Sequence, residues 1–153
     1  MGATISVRRF SARIVIARSP AEVFAWVADP RHVAQVLEGV DRWEPLDDRA
    51  TGVGARFDVS VRALGFPLEN VLVLDRWDEP REIGWRSESG LVAQSGGWRF
   101  EPLGRGTEVT LAIGYEQPGG ALGGLLAGRV EGMVRDRLRR ALERMRDRLE
   151  CDA

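Results

Sequence analysis

The chain reads as an α+β domain in which a curved antiparallel sheet of about seven strands wraps around one long C-terminal helix. Three observations predict it. Ala55 to Ala63 and Thr107 to Tyr115 alternate apolar and polar residues with period two, the mark of antiparallel strands with one wet face. After Pro118, apolar residues recur at Leu122, Leu126, Val130, Met133, Val134, Leu138, Ala141, Leu142, Met145 and Leu149, a helical stripe of about thirty residues. Two short helical segments fall between the first strand and the others, so helices are segregated from a meandering sheet.

The elements follow in order. Ile5 to Ala17 is a strand with Phe10, Ala12, Ile14 and Ile16 on one face. Ser19-Pro20-Ala21-Glu22 starts a helix, with serine as N-cap, proline at N1 and glutamate at N3. Val23, Phe24, Trp26 and Val27 form its buried stripe. Asp29-Pro30 stops that helix and begins a second, carrying Val33, Val36 and Leu37, which Gly39 ends. Val40 to Leu46 is a strand, and Asp47 to Gly52 a turn. In the next strand Ala55, Phe57, Val59, Val61 and Ala63 face one way, and Arg56, Asp58, Ser60 and Arg62 the other. Leu64-Gly65-Phe66-Pro67 turns. Leu68 to Trp77 is a strand whose register stays open, because Val71-Leu72-Val73-Leu74 is continuously apolar. After an Asp78-Glu79-Pro80 turn, Ile83, Trp85 and Ser87 share a strand face. Leu91 to Pro102 and Thr107 to Tyr115 pair around Leu103-Gly104-Arg105-Gly106. No repeat, low-complexity segment or linker interrupts the chain, so residues 1–153 form one domain.

Composition excludes several classes of function. The 153 residues carry a net charge of −1, which provides no field for nucleic acid. No apolar run approaches the roughly 18 residues of a membrane span. Met1 to Phe10 lacks the apolar core of a signal peptide, and the expected location is the cytoplasm. All 22 basic residues are arginine, so lysine Schiff-base chemistry is excluded. His32 is the one histidine, which rules out a multi-histidine metal site; its place beside Asp29-Pro30 reads as a solvated cap position. Cys151 is the one cysteine. No disulfide, metal or cofactor is expected.

Several motifs together resemble a known superfamily. Ser19-Pro20-Ala21-Glu22-Val23-Phe24-Ala25-Trp26-Val27-Ala28-Asp29 is similar to the opening of START-type helix-grip proteins. Val53-Gly54-Ala55-Arg56-Phe57 is similar to their glycine-led third strand, and Arg76-Trp77-Asp78-Glu79-Pro80-Arg81 to their proline turn. Trp98-Arg99-Phe100-Glu101-Pro102 followed by Gly106-Thr107-Glu108-Val109-Thr110 resembles their final hairpin. The nearest resemblance is to the polyketide cyclase/dehydrase and lipid-transport family of the SRPBCC superfamily, over nearly the whole chain. It implies a seven-stranded sheet gripping the long helix, with a mostly apolar cavity between them. The fold hosts carriers, receptors, cyclases and chaperone regulators, so it leaves function open.

The inward parity names the wall of that cavity: Phe57, Val59 and Val61, then Trp85, then Gln94, Trp98 and Phe100, then Leu111, Ile113 and Tyr115. The helix adds Leu126, Val130 and Met133. These residues either fill a solid core or line a hollow, and the resemblance implies a hollow. Polar groups are few. Gln94, Tyr115 and Ser87 share the inward parity; Asn70 or Glu69 does, but not both, and Asn70 is the candidate. Arg56, Arg62, Arg86 and Arg99 fall on the outward parity, while Arg76 points inward on one register of its strand. The arginines from Arg135 to Arg148 read as a solvated face of ion pairs. Gly120, Gly124, Gly128 and Gly132 recur at spacing four, as a gate beside the pocket, as a contact surface for a partner such as a second copy, or as compositional bias.

These residues point to binding or transport of a hydrophobic small molecule: a lipid, isoprenoid or polyketide. The alternative is a cyclase or dehydratase acting in the same cavity, with Tyr115, aided by Gln94, as its proton-transfer or polarising group. A third class is a protein-interaction module. The expected partner is an apolar ligand, with no nucleic acid and no membrane span; a homodimer is left open.

Overall fold

The structure, a computed structural model, describes residues 6–63, 65–90, 92–117 and 121–151, and the side chains of all of these except 6, 63, 117 and 121–128. In chain order the elements are β1 (Ser6–Ile16), α1 (Pro20–Ala28), α2 (Pro30–Val36), β2 (Val40–Pro45), β3 (Arg56–Ala63), β4 (Phe66–Asp78), β5 (Glu82–Gly90), β6 (Gln94–Leu103), β7 (Gly106–Gln117) and α3 (Ala121–Cys151). The strands form one antiparallel sheet in the order β1-β7-β6-β5-β4-β3-β2. Consecutive strands from β2 to β7 are neighbours, and β1 closes onto β7. This is the helix-grip architecture.

Local chemistry places the two short helices. The Ser19 hydroxyl accepts from the Glu22 N–H at 3.3 Å, satisfying an otherwise orphaned donor at the start of α1. Asp29 ends α1 and caps α2: its carboxylate accepts from the Arg31 N–H at 3.0 Å and holds the Arg31 guanidinium at 2.7 Å. Both helices have proline in their first turn, where the missing N–H costs nothing. His32 is partly buried: it stacks on Trp26 with ring centroids 4.4 Å apart, and its Nδ1 lies 2.7 Å from the Trp26 carbonyl. It is a packed residue of the α1–α2 junction, not the solvated cap expected from its neighbours.

Two irregularities settle the open register of β4, one between Val71 and Leu72 and one between Leu74 and Arg76. Leu72 pairs with Phe57, Leu74 with Trp85, and Asn70 with Val59, so all three lie on the concave face. Glu69 turns outward to Arg42 at 3.3 Å. Arg76 also lies on the convex face, where its guanidinium crosses Gly84 and donates to the Gly96 carbonyl at 2.9 Å. A bulge reverses side-chain parity locally, which a continuous apolar run does not reveal. The strand expected from Leu91 begins only at Gln94.

The core lies between α3 and the concave face. Leu138, Ala141, Leu142 and Met145 of α3 are fully buried with Ile16, Phe24, Phe100, Val109 and Leu111. The arginine-rich stripe of α3 forms ion pairs that keep much of their solvent exposure, as expected, and its partners reach beyond the helix. Glu38 takes the Arg140 guanidinium at 2.8 and 3.0 Å and that of Arg144 at 2.6 Å, and Arg148 donates to Gln35 at 2.7 Å. These contacts clasp α3 to the α2 region. Among the described residues no helix is long and apolar enough to cross a membrane. Of the glycine series, Gly120 lies outside the described residues, the surroundings of Gly124 and Gly128 lie outside them too, and Gly132 faces open space.

Candidate ligand-binding site

Strand registers convert the expected wall into rows across the sheet. Phe10 of β1, Ile113 of β7, Gly96 of β6 and Trp85 of β5 lie side by side, and Leu74 continues the row on β4. The Trp85 indole rests on Gly96; a Cβ there would meet the ring and, at 2.8 Å, the Ala112 carbonyl oxygen. Trp43 packs edge-on against Trp85 with centroids 5.8 Å apart, and also against Phe57 at 6.0 Å. Trp43 was not among the residues expected here, because β2 is too short to show alternation.

The wall divides into two zones. Phe57, Val59, Trp85, Trp98, Phe100 and Leu111 are buried. Val61, Ile113, Tyr115, Val130 and Met133 are only partly buried, as is Gln94. The Leu126 side chain lies outside the described residues. Within the expected wall, the partly uncovered apolar residues are those toward the ends of β3 and β7 and on the part of α3 that carries Val130 and Met133. Deeper, a gap of about 30 Å3 remains between the α1–α2 pair and the sheet, lined by Trp43, Phe57, Leu74, Trp77, Trp85 and Trp98 among others. That is room for a water, not for a ligand. A broader hollow of about 400 Å3 lies on the opposite, convex face, floored by Gly97, Gly114 and Ala112 and rimmed by Arg9, Arg76, Glu82 and Arg99.

Polar groups on the concave side fall into two sets. In the first, Arg8, Tyr115 and Gln94 are neighbours across β1, β7 and β6, and Ser87 accepts from the Gln94 backbone N–H at 2.9 Å. Arg8 reaches Glu131 of α3 at 3.3 Å. Burial, and then the Glu131 charge, raise the Tyr115 pKa, against the opposing effect of Arg8. Tyr115 is therefore a neutral hydrogen-bond donor at physiological pH, and a poor general base. Its ring stacks on Phe10 with centroids 5.9 Å apart. The second set is two buried atoms without a hydrogen bond among the described residues, Asn70 Oδ1 and Trp85 Nε1. Both residues are 4% exposed, and an unsatisfied polar atom at that depth costs about 1–3 kcal/mol.

Arg8, Glu131 and Arg137 were missed in the sequence. Arg8 follows the inward parity of Phe10 and was legible there. Arg137 continues the helical spacing of Val130 and Met133; it was absorbed into the charged face because its neighbours in sequence are charged.

Comparison with known proteins bears on the fold and the family. Residues 7–150 match the family described as polyketide cyclase / dehydrase and lipid transport. No curated protein matches the chain by sequence. Among solved structures, a protein from Thermus thermophilus is 23% identical with a TM-score of 0.81, the match covering 95% of this chain and 99% of that one. A START superfamily protein from Mycobacterium smegmatis is 17% identical with a TM-score of 0.68, covering 95% and 99%. An aromatase/cyclase from Streptomyces sp. R1128 is 23% identical with a TM-score of 0.62, covering 95% and 88%. At these identities the likeness speaks for the fold. With the family pattern running through β1 to α3, the chain belongs to the polyketide cyclase / dehydrase and lipid transport family.

Proposed function

We propose that this protein binds and carries a hydrophobic small molecule, a lipid, isoprenoid or polyketide, between α3 and the concave face of the sheet. One observation carries the reading. From Val134 onward the inward residues of α3 are buried, whereas at Val61, Ile113, Tyr115, Val130 and Met133 apolar surface of both helix and sheet is left partly uncovered. Covering such surface is worth roughly 25 cal/mol per Å2 before ordering costs. The candidate contacts are these five residues with Asn70, Gln94 and the buried floor of Phe57, Val59, Trp85, Trp98, Phe100 and Leu111; Leu126 completes the set from the sequence. The test is displacement of a neutral apolar fluorophore by lipids or isoprenoids, joined to native mass spectrometry of the purified protein. Absence of both fluorophore binding and any co-purifying molecule overturns the reading.

A catalytic reading has one observation behind it: Tyr115, a donor held neutral, lies beside Gln94 and the Arg8–Glu131 pair. Such a group polarises a carbonyl in a folded polyketide chain. Turnover lost in Tyr115→Phe separates this reading from the carrier.

A further inference from the structure

The clasps that hold α3 over the sheet differ in one respect. On the β1 side, Arg8 has Glu131 as its counter-ion at 3.3 Å. Further along α3, Arg140 and Arg144 share Glu38. Arg137 belongs to the same helix face and has no such partner: among the described residues no carboxylate pairs with it. Its guanidinium is laid on Gly39, at the turn between α2 and β2, and its Nη1 donates to the Arg62 carbonyl at the end of β3, 2.8 Å away. Gly39 makes that placement feasible, since a Cβ there would meet the guanidinium carbon at 2.8 Å and the Arg62 oxygen at 2.9 Å.

A guanidinium has five N–H donors, and among the described residues one neutral carbonyl accepts from this one. Arg137 is partly buried. Loss of solvent, and then repulsion from Arg140, press its pKa below the ordinary value against the opposing pull of Glu38. A partly desolvated cation that feels Glu38 only at a distance, with no carboxylate paired to it among the described residues, is an arrangement that a bound anion improves. Its position is specific. Arg137 stands four residues beyond Met133 and seven beyond Val130, on the same face of α3, and Val61 precedes the residue whose carbonyl it holds. On the next strand, Asn70 pairs with Val59 on the concave face and keeps a buried acceptor unfilled among the described residues.

We infer that the ligand is an amphiphile with an anionic end, a carboxylate or phosphate, and that Arg137 is the residue that receives that end. This rests on the carrier reading above and adds the head group to it. The apolar body lies against Val61, Ile113, Val130 and Met133. The anion takes the guanidinium donors that the Arg62 carbonyl leaves free, so the clasp of α3 to β3 becomes a two-sided contact when ligand is bound.

The experiment compares dodecanoic acid with 1-dodecanol, below their micellar concentrations, on wild type and on Arg137→Gln, Arg137→Lys and Arg137→Glu. Wild type is expected to prefer the acid by about tenfold, the scale of one charge-assisted contact. Arg137→Gln removes the preference by weakening the acid and leaves the alcohol unchanged, while Arg137→Lys keeps part of it. Arg137→Glu transfers the preference to dodecylammonium. A residue that only ties the helix down would weaken acid and alcohol together and would not bring in the cation, and melting curves report whether each variant is folded. Equal binding of acid and alcohol by wild type, or an acid preference that survives Arg137→Gln, overturns the inference while leaving the carrier intact. Binding of neither probe to wild type overturns both.

Discussion

At Gly96 a single hydrogen in place of a methyl decides the shape of the concave wall. The Trp85 indole occupies the volume a side chain would take, and the glycine is protected in turn by the ring. Gly96→Ala forces the ring or the β7 backbone to move, and overpacking of this kind costs about 1–3 kcal/mol; urea unfolding monitored by tryptophan fluorescence checks it. Tyr115→Phe removes one hydroxyl beside the Arg8–Glu131 pair. In a carrier, affinity for a bound ligand is expected to change by about 1 kcal/mol, the net scale of one hydrogen bond. In an enzyme using that hydroxyl, turnover falls by about 100-fold with little change in binding. Tyr115 was readable from strand parity because it ends an unbroken alternation, and Gln94 because no bulge separates it from Trp98 and Phe100. Gly96 was not, since a glycine has no polarity to read and its role depends on a neighbour one strand away.

The long helix is two structures in one. From Val134 onward its inward residues are buried, and Arg140, Arg144 and Arg148 bind it to the α2 region. Hydrogen bonds from Arg140 first, and from Arg144 second, hold the Glu38 carboxyl below the usual carboxylate range. A lowered pKa in the folded state contributes stability that is present above the ordinary value and is lost as pH falls through the lowered one. Wild type is therefore expected to weaken on acidification below about pH 4, and Glu38→Gln to show a smaller acid loss; denaturant midpoints measured down the pH series check this. At Gly132 an added Cβ meets nothing within 4 Å. Gly132→Ala is expected to raise stability by up to about 1 kcal/mol through helix propensity alone, and a thermal melt would show it. The hydrophobic stripe made this helix legible in sequence. Its arginine contacts were not, because Glu38 and Gln35 lie about a hundred residues away and no local spacing announces them.

At the scale of the molecule, the fold followed from the sequence because nearly every strand pairs with its neighbour in the chain. The long-range pairing, β1 with β7, is carried by two strands whose inward faces are apolar from Phe10 to Ile16 and from Val109 to Ile113. The site was less legible for a physical reason. The same hydrocarbon parity that packs a solid core also lines a cavity, and the difference is how far helix and sheet stand apart. That separation makes a prediction about coupling. Met145 is fully buried, so Met145→Ala is expected to cost about 2–5 kcal/mol whether or not ligand is present. Met133 is partly uncovered, so Met133→Ala should change the empty protein little. A ligand that binds only the folded state adds RT ln(1 + [L]/Kd), about 2.7 kcal/mol at a hundredfold excess over Kd. Met133→Ala loses part of that gain by raising Kd, while Met145→Ala retains most of it. Thermal melts of the three proteins, with and without a saturating apolar ligand, separate the two methionines. An equal ligand-induced shift in wild type and Met133→Ala would mean that the ligand does not lie under this part of α3.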